Sequence, residues 1–171
     1  EVANIRKIIR NLMSFSGPTR ENRTSLDIFP RSSELSSLVN LEAGPENIRI
    51  ICRGPEQPAL IRADAGEIRQ ILLNLIRNSI EAMPGGGEIV IDVLADEDRV
   101  WMAFRDNGGG IRFEPPNDIF LRFASTKAAP GRYPGLGLSI DRHLVDKHGG
   151  VLRVDNRESG WAGVISFPVC R

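Results

Sequence analysis

The stretch Asp64 to Met83 reads DAGEIRQILLNLIRNSIEAM. Ile68, Ile71, Leu72, Leu75, Ile76, Ile80 and Met83 recur at three- and four-residue intervals, which predicts an amphipathic helix with one buried stripe. Pro84 and the run Gly85-Gly86-Gly87 end it. On the edge of the stripe stand Asn74 and Asn78, four residues apart and so one turn above the other. Asparagine is a mediocre helix former because its amide competes for backbone groups, so two of them on a strong helix call for a reason. One reason is a polar crosslink to a neighbouring loop. The other is that their carbonyl oxygens ligate a hard cation or its water. On this helix alone the crosslink is the simpler account, and the sequence downstream reverses the order.

Outward from this helix, Asn47 to Arg53 (NIRIICR) alternates like a half-buried strand, with Ala59 to Ala63 as its short partner. On the other side, Glu88 to Leu94 and Arg99 to Arg105 alternate across an acidic turn and predict a β-hairpin. Leu138 to His148 is a helix stopped by Gly149-Gly150, and Val151 to Asp155 and Ala162 to Val169 are closing strands. Upstream, Leu26-Asp27-Ile28 is a short strand candidate. Ser32 or Ser33 is the expected N-cap of a helix that carries Leu35, Leu38, Val39 and Leu41 and ends at Gly44-Pro45. Residues 1–16 hold Val2, Ile5, Ile8, Ile9, Leu12, Met13 and Phe15 at helical spacing before Gly17-Pro18, and TRENRTS follows as a linker. Strand pairs and helices without regular β-α-β alternation imply an α+β two-layer sandwich, with the helices on one face of an antiparallel or mixed sheet. A Rossmann-type sheet is the runner-up, disfavoured because no glycine-rich turn follows the first strand.

A chain of 171 residues suffices for one well-buried domain with an appendage. Lys plus Arg equals Asp plus Glu, 22 against 22, and no block of like charge stands out, so neither nucleic acid nor an anionic membrane is an expected partner. Cys52 and Cys170 have neither metal-ligand spacing nor a disulfide framework around them and read as reduced, inert thiols. No apolar run approaches membrane-spanning length and no signal-peptide pattern opens the chain, so a soluble cytoplasmic domain is expected. Glu1 lies in the middle of a helical pattern, as though the sequence were cut from something longer.

Chemistry concentrates between residues 106 and 138. Asp106-Asn107-Gly108-Gly109-Gly110-Ile111 follows a strand directly: the glycines admit a flat or charged group close to the backbone, and a carboxylate there can accept a hydrogen bond from an exocyclic amine. Taken alone, it is equally a turn in which Asp106 caps its own loop. Gly135-Leu136-Gly137-Leu138 opens into a helix, where free amides and the helix dipole suit a phosphate. Between the two runs lie Phe120, Phe123, Ser125, Thr126 and Lys127. The rings suit packing, and Lys127 could reach a phosphate.

In this order, Asn74-x-x-x-Asn78, Asp106-x-Gly108-x-Gly110-Ile111, Phe120-x-x-Phe123-x-Ser125-Thr126-Lys127 and Gly135-Leu136-Gly137-Leu138 resemble the N, G1, F and G2 boxes of sensor histidine kinases. These form the kinase branch of the ATPase superfamily shared with gyrase, Hsp90 and MutL, and the nitrogen-regulation and oxygen-sensor type is the nearest in look. The resemblance spans about Leu26 to Pro168. It implies a Bergerat-type ATP-binding fold, ATP and Mg2+ as ligands, and transfer of the γ-phosphoryl group to a histidine on a separate helical domain. Residues 1–16 would be the end of that dimerisation and phosphoacceptor hairpin, 17–25 a linker and 26–171 the catalytic domain. A response regulator would be an indirect partner, and the domain would not touch a membrane even if its parent were anchored in one.

Carried over by position, the resemblance implies that Asn78 holds Mg2+ while Asn74 supports the nucleotide and cation. Asp106 would receive the adenine amine, with Gly108, Gly110 and Ile111 beside the purine. Arg77 is either a phosphate contact or a solvated arginine. Lys127 and residues 128–134 would be the lid, and Gly135, Leu136, Gly137 and Leu138 the phosphate cradle. The chain departs from the pattern in four places. Tyr133-Pro134 replaces a glycine and a hydroxyl residue, Glu81 stands where a basic residue is common, no threonine lies near Ala162, and the phosphoacceptor histidine is absent. His143 and His148 are the only histidines, and His148 reads as a structural residue at a helix end. A gyrase- or Hsp90-like ATPase would need a glutamate base where Asn74 stands. A degenerate nucleotide-binding domain acting as a protein-interaction module is the other alternative, supported by Tyr133-Pro134.

Overall fold

The computed structural model describes residues 22–43, 47–110 and 137–170. Its elements run β1 (Thr24–Asp27), α1 (Ile28–Ala43), β2 (Ile48–Arg53), β3 (Leu60–Ala63), α2 (Ala65–Ala82), β4 (Gly87–Ala95), β5 (Arg99–Asp106), α3 (Gly137–Lys147), β6 (Val151–Asn156) and β7 (Trp161–Pro168). Five strands form one mixed sheet in the order β2-β4-β5-β7-β6. The β2–β4 pair is parallel and the other three are antiparallel. The expected hairpin is β4–β5, with Ile91 opposite Phe104.

Alternation decides which face is covered. Ile89, Ile91 and Val93 of β4, Val100, Met102 and Phe104 of β5, Ile165 and Phe167 of β7 and Leu152 of β6 are almost wholly enclosed. They meet Ile68, Ile71, Leu72, Leu75 and Ile76 of α2 and Ile140, Leu144 and Val145 of α3 in one core. The alternate positions, Trp101 and Val164 among them, keep contact with solvent, so this is the α+β two-layer sandwich with helices on one side. Asp64 starts α2 as N-cap, its Oδ1 accepting from the amides of Gly66 at 2.8 Å and Glu67 at 3.0 Å.

Two local expectations are corrected. Ala59 to Ala63 does not pair with β2: β3 pairs antiparallel with β1, Leu26 opposite Ile61, while β2 pairs with β4 as the outer strand of the main sheet. This small ribbon joins the main body through a bridge from Ile61 to Val169 and a hydrogen bond from Cys170 N to the Leu60 carbonyl, 2.8 Å. The helix α1 also begins earlier than Ser32 or Ser33 would place it. Asp27 caps it instead, its Oδ1 accepting from the amides of Phe29 at 3.3 Å and Ala59 at 3.1 Å. Pro30 is tolerated because the first turn needs no amide there. Ser32 lies inside the helix, buried, its hydroxyl donating back to the Ile28 carbonyl at 2.9 Å.

Candidate functional site

The helix α2 meets the two glycine-bearing segments at stations one turn apart along one face. At the first, the Asn74 side-chain nitrogen donates to the Gly137 carbonyl at 3.2 Å and to Asp141 Oδ1 at 3.1 Å, which binds α2 to the first turn of α3. At the last, Gly108 lies so close to Ala82 and Met83 that a Cβ there would stand 3.1 Å from the Ala82 carbonyl. Asn78 lies between them, half-exposed, with no hydrogen-bond partner among the described residues. Residues 74, 78 and 82 share a face and span about 12 Å of helix axis. The crosslink and the open amide, posed as alternatives for one pair, are thus divided between its members. Arg77 points along its own helix, Nη2 donating to Asn74 Oδ1 at 2.7 Å and Nε 4.0 Å from Glu81.

Asp106 continues the inward register of Val100, Met102 and Phe104 and is only 5% exposed. Its Oδ1 accepts from the Gly108 amide at 3.0 Å, and its Oδ2 is enclosed with no partner among the described residues. A buried carboxylate oxygen without a donor is costly, so an incoming N–H has a strong reason to settle there. The loop after Asp106 is held from both sides. Asn107 Oδ1 accepts from the Glu88 amide at 2.9 Å, and Gly160, at φ 78°, closes directly over the Asp106 backbone where no side chain would fit. Gly110 also has a positive φ, 73°, and faces Asn156.

Gly137 and Leu138 open α3 and are half-buried. The sequence did not single out Asp141, which is completely enclosed and whose carboxyl burial pushes well above the usual carboxylate range, opposed by the Asn74 amide and by Arg77. Its signal was spacing: 141, 144, 145 and 148 form a buried helical stripe. His148 has the structural role expected of it. Its side chain is fully enclosed, with Nε2 2.8 Å from Glu67 Oε2, while Lys147 Nζ donates to the other Glu67 oxygen at 2.6 Å. Ile111, Phe120, Phe123, Ser125, Thr126, Lys127, residues 128–134 with Tyr133-Pro134, Gly135 and Leu136 lie outside the described residues, as do residues 1–16.

The chain is similar to known proteins over most of its length. Residues 63–169 match the family model described as histidine kinase-, DNA gyrase B- and HSP90-like ATPase. Sporulation kinase A of Bacillus subtilis (strain 168) is 31% identical over 170 residues, 98% of this chain, and the chain spans 28% of that relative's length. Among solved structures, the catalytic domain of histidine kinase ThkA superposes with a TM-score of 0.76 at 30% identity, over 86% of this chain and 95% of that one. ThkA in complex with the response regulator protein TrrA gives 0.77 at 26% identity, covering 99% of this chain and 48% of that one. No helix among the described residues is long and apolar enough to cross a membrane. The chain belongs to the histidine kinase-, DNA gyrase B- and HSP90-like ATPase family, and within it to the catalytic ATP-binding domains of sensor histidine kinases.

Proposed function

We propose that this chain binds Mg-ATP along the face of α2 that carries Asn74 and Asn78, and delivers the γ-phosphoryl group to a histidine on a separate helical hairpin of the parent kinase. One observation carries the proposal: the enclosed Oδ2 of Asp106, without a hydrogen-bond partner among the described residues, is an acceptor that a purine amine would satisfy. Gly108 and Gly110, with Ile111, take the base. Gly137 and Leu138, with Gly135 and Leu136, offer amides at a helix N-terminus to the phosphates, and Lys127 and residues 128–134 close over them.

Asn78 is the residue assigned to Mg2+, since its carbonyl oxygen is a hard donor that nothing among the described residues engages. A Mg2+ ion held by this amide would take phosphate oxygens and water as further ligands, the ordinary arrangement for that cation. Bound Mg2+ supplies charge neutralisation on the phosphoryl oxygens. Asn74 supports the nucleotide by holding α3 in place, and Arg77, with one nitrogen on Asn74, has further N–H donors to offer a phosphate. A gyrase-like hydrolytic base is disfavoured, because the Asn74 amide has no useful basicity.

Neither histidine of this chain fits the acceptor role. His148 is enclosed, and His143 lies six residues along α3 from Gly137, about 9 Å down the axis. We assign residues 1–16 to the end of the acceptor hairpin, 17–25 to a linker whose last two residues already run in β1, and 26–171 to the catalytic domain, working in the cytoplasm with a response regulator downstream. Incubation with γ-labelled ATP tests the division of roles. The chain alone should stay unlabelled, and the hairpin added as a separate polypeptide should acquire acid-labile label slowly. Acid-labile label on this chain alone would overturn the assignment.

A further inference from the structure

On the strength of the nucleotide reading above, we propose that Asp141 is a positioning residue: it fixes the orientation of Asn74, and through Asn74 the first turn of α3, in the form that receives nucleotide. An asparagine amide has two ends of nearly the same shape, and only its partners decide which way round it sits. On the α3 side of Asn74 stand two acceptors, the Gly137 carbonyl at 3.2 Å and Asp141 Oδ1 at 3.1 Å. On the other side stands the guanidinium of Arg77, donor only, at 2.7 Å. The nitrogen must therefore face α3 and the oxygen must face outward. Without Asp141, the nitrogen keeps one long bond, to the Gly137 carbonyl, and one of the three contacts that fix the amide is gone.

The contact with Gly137 turns this into a property of the site. A Cβ at Gly137 would lie 3.3 Å from the Asn74 nitrogen, so the first turn of α3 is seated directly against that amide. Stability gives no reason for the carboxyl. Asp141 is entirely enclosed, one oxygen has Asn74 as its partner, and the other has none among the described residues. Burying such a group costs more than burying an apolar side chain of the same size. What it returns is orientation.

The test measures Mg-ADP affinity and the unliganded melt for the wild-type chain, Asp141→Asn, Asp141→Ala, Asn74→Ala and the Asp141→Ala/Asn74→Ala double variant. Asp141→Asn keeps a carbonyl acceptor for Asn74 and should bind within about twofold of wild type. Asp141→Ala should weaken binding roughly fivefold to tenfold, the loss of one oriented hydrogen bond, while melting no lower than wild type. In the Asn74→Ala background, Asp141→Ala should change nothing further, because its only route to the nucleotide is gone. Should Asp141→Ala fail to fold, Asp141→Ser against Asp141→Asn makes the same comparison. Wild-type affinity in Asp141→Ala, or the same loss in both backgrounds, would overturn the proposal. Absence of any wild-type affinity would remove the nucleotide reading as well, so the two failures are distinguishable.

Discussion

At the scale of single residues, the site is built from polar groups placed in apolar registers. Asp106 occupies the next inward position after Phe104 on β5, and Asp141 occupies a buried stripe position with Leu144 and Val145. Each has one oxygen partnered and one enclosed without a partner among the described residues. Asp106→Asn replaces a charged acceptor by a weaker one and should cost roughly 1–3 kcal/mol of adenine-nucleotide affinity with little change in the unliganded melt, measurable by calorimetric titration. Asp141 carries a linkage consequence. The unfolded chain ionises it from about its ordinary 3.8 upward, whereas burial keeps the folded form protonated to a higher pH. Between those two values unfolding releases a proton, so stability falls as pH rises. Melting curves of Asp141→Asn should therefore gain on wild type as pH rises above the ordinary 3.8 of the unfolded carboxyl, and parallel curves would show that the carboxyl is not held neutral. Cys52 is a simpler case. Burial pushes its thiol up to about 11, with Ser36 lowering it and Asp92 raising it, so alkylation of the native chain at this position should be far slower than after unfolding.

At the scale of elements, α2 is the organising piece because it touches both ends of the site. Its three stations separate roles that mutation can separate. Asn78→Ala removes an amide with no partner among the described residues, so the unliganded melt should stay within about 1 kcal/mol of wild type. At ADP roughly 100 times its dissociation constant, linkage stabilises the wild-type domain by about 2.7 kcal/mol, on the order of 5–10 °C. Most of the Mg2+-dependent part should vanish in Asn78→Ala, and an unchanged Mg2+ dependence would sink the metal assignment. The far end of α3 behaves differently. Arg23 donates to the Lys147 carbonyl at 2.9 Å, and Lys147 and His148 converge on Glu67 of α2. Burial lowers the His148 pKa below 6.5, against the pull of Glu67 and with the help of Arg23 and Lys147. The unfolded chain takes up that proton first as pH falls, so the native state loses stability from about pH 6.5 downward. His148→Gln should flatten that part of the melting profile.

At the scale of the molecule, the sequence showed most of what repeats and little of what closes over distance. The α2 stripe, the β4–β5 hairpin and the inward registers of β5 and β7 are local periodicities, and each appears in the fold within a residue or two. The pairing of β1 with β3 is not local: Thr24 lies opposite Ala63, and the choice depends on β2 having taken β4 as its neighbour. The α1 cap was missed because two serines with capping chemistry stand only a turn beyond Asp27, and neighbouring Ala59 is what fixes Asp27 in place. Asn74 and Asn78 look alike in sequence, and only the docking of α3 tells the crosslink from the open amide. Asp141 was passed over because a charged residue in a short helix reads as solvent-facing, although its spacing from Leu144 and Val145 said otherwise.

The central claim, a site that reads adenine through the Asp106 carboxylate, is tested most directly by titrating the wild-type chain with ADP and with GDP in the presence of Mg2+. In the proposed site adenine would present an amine to the enclosed Oδ2, whereas guanine would present a carbonyl at the same place and set two acceptors face to face. ADP should bind at least tenfold more tightly than GDP, the equivalent of about 1.4 kcal/mol. Equal affinities would contradict the account and leave Asp106 as no more than the cap of its own loop.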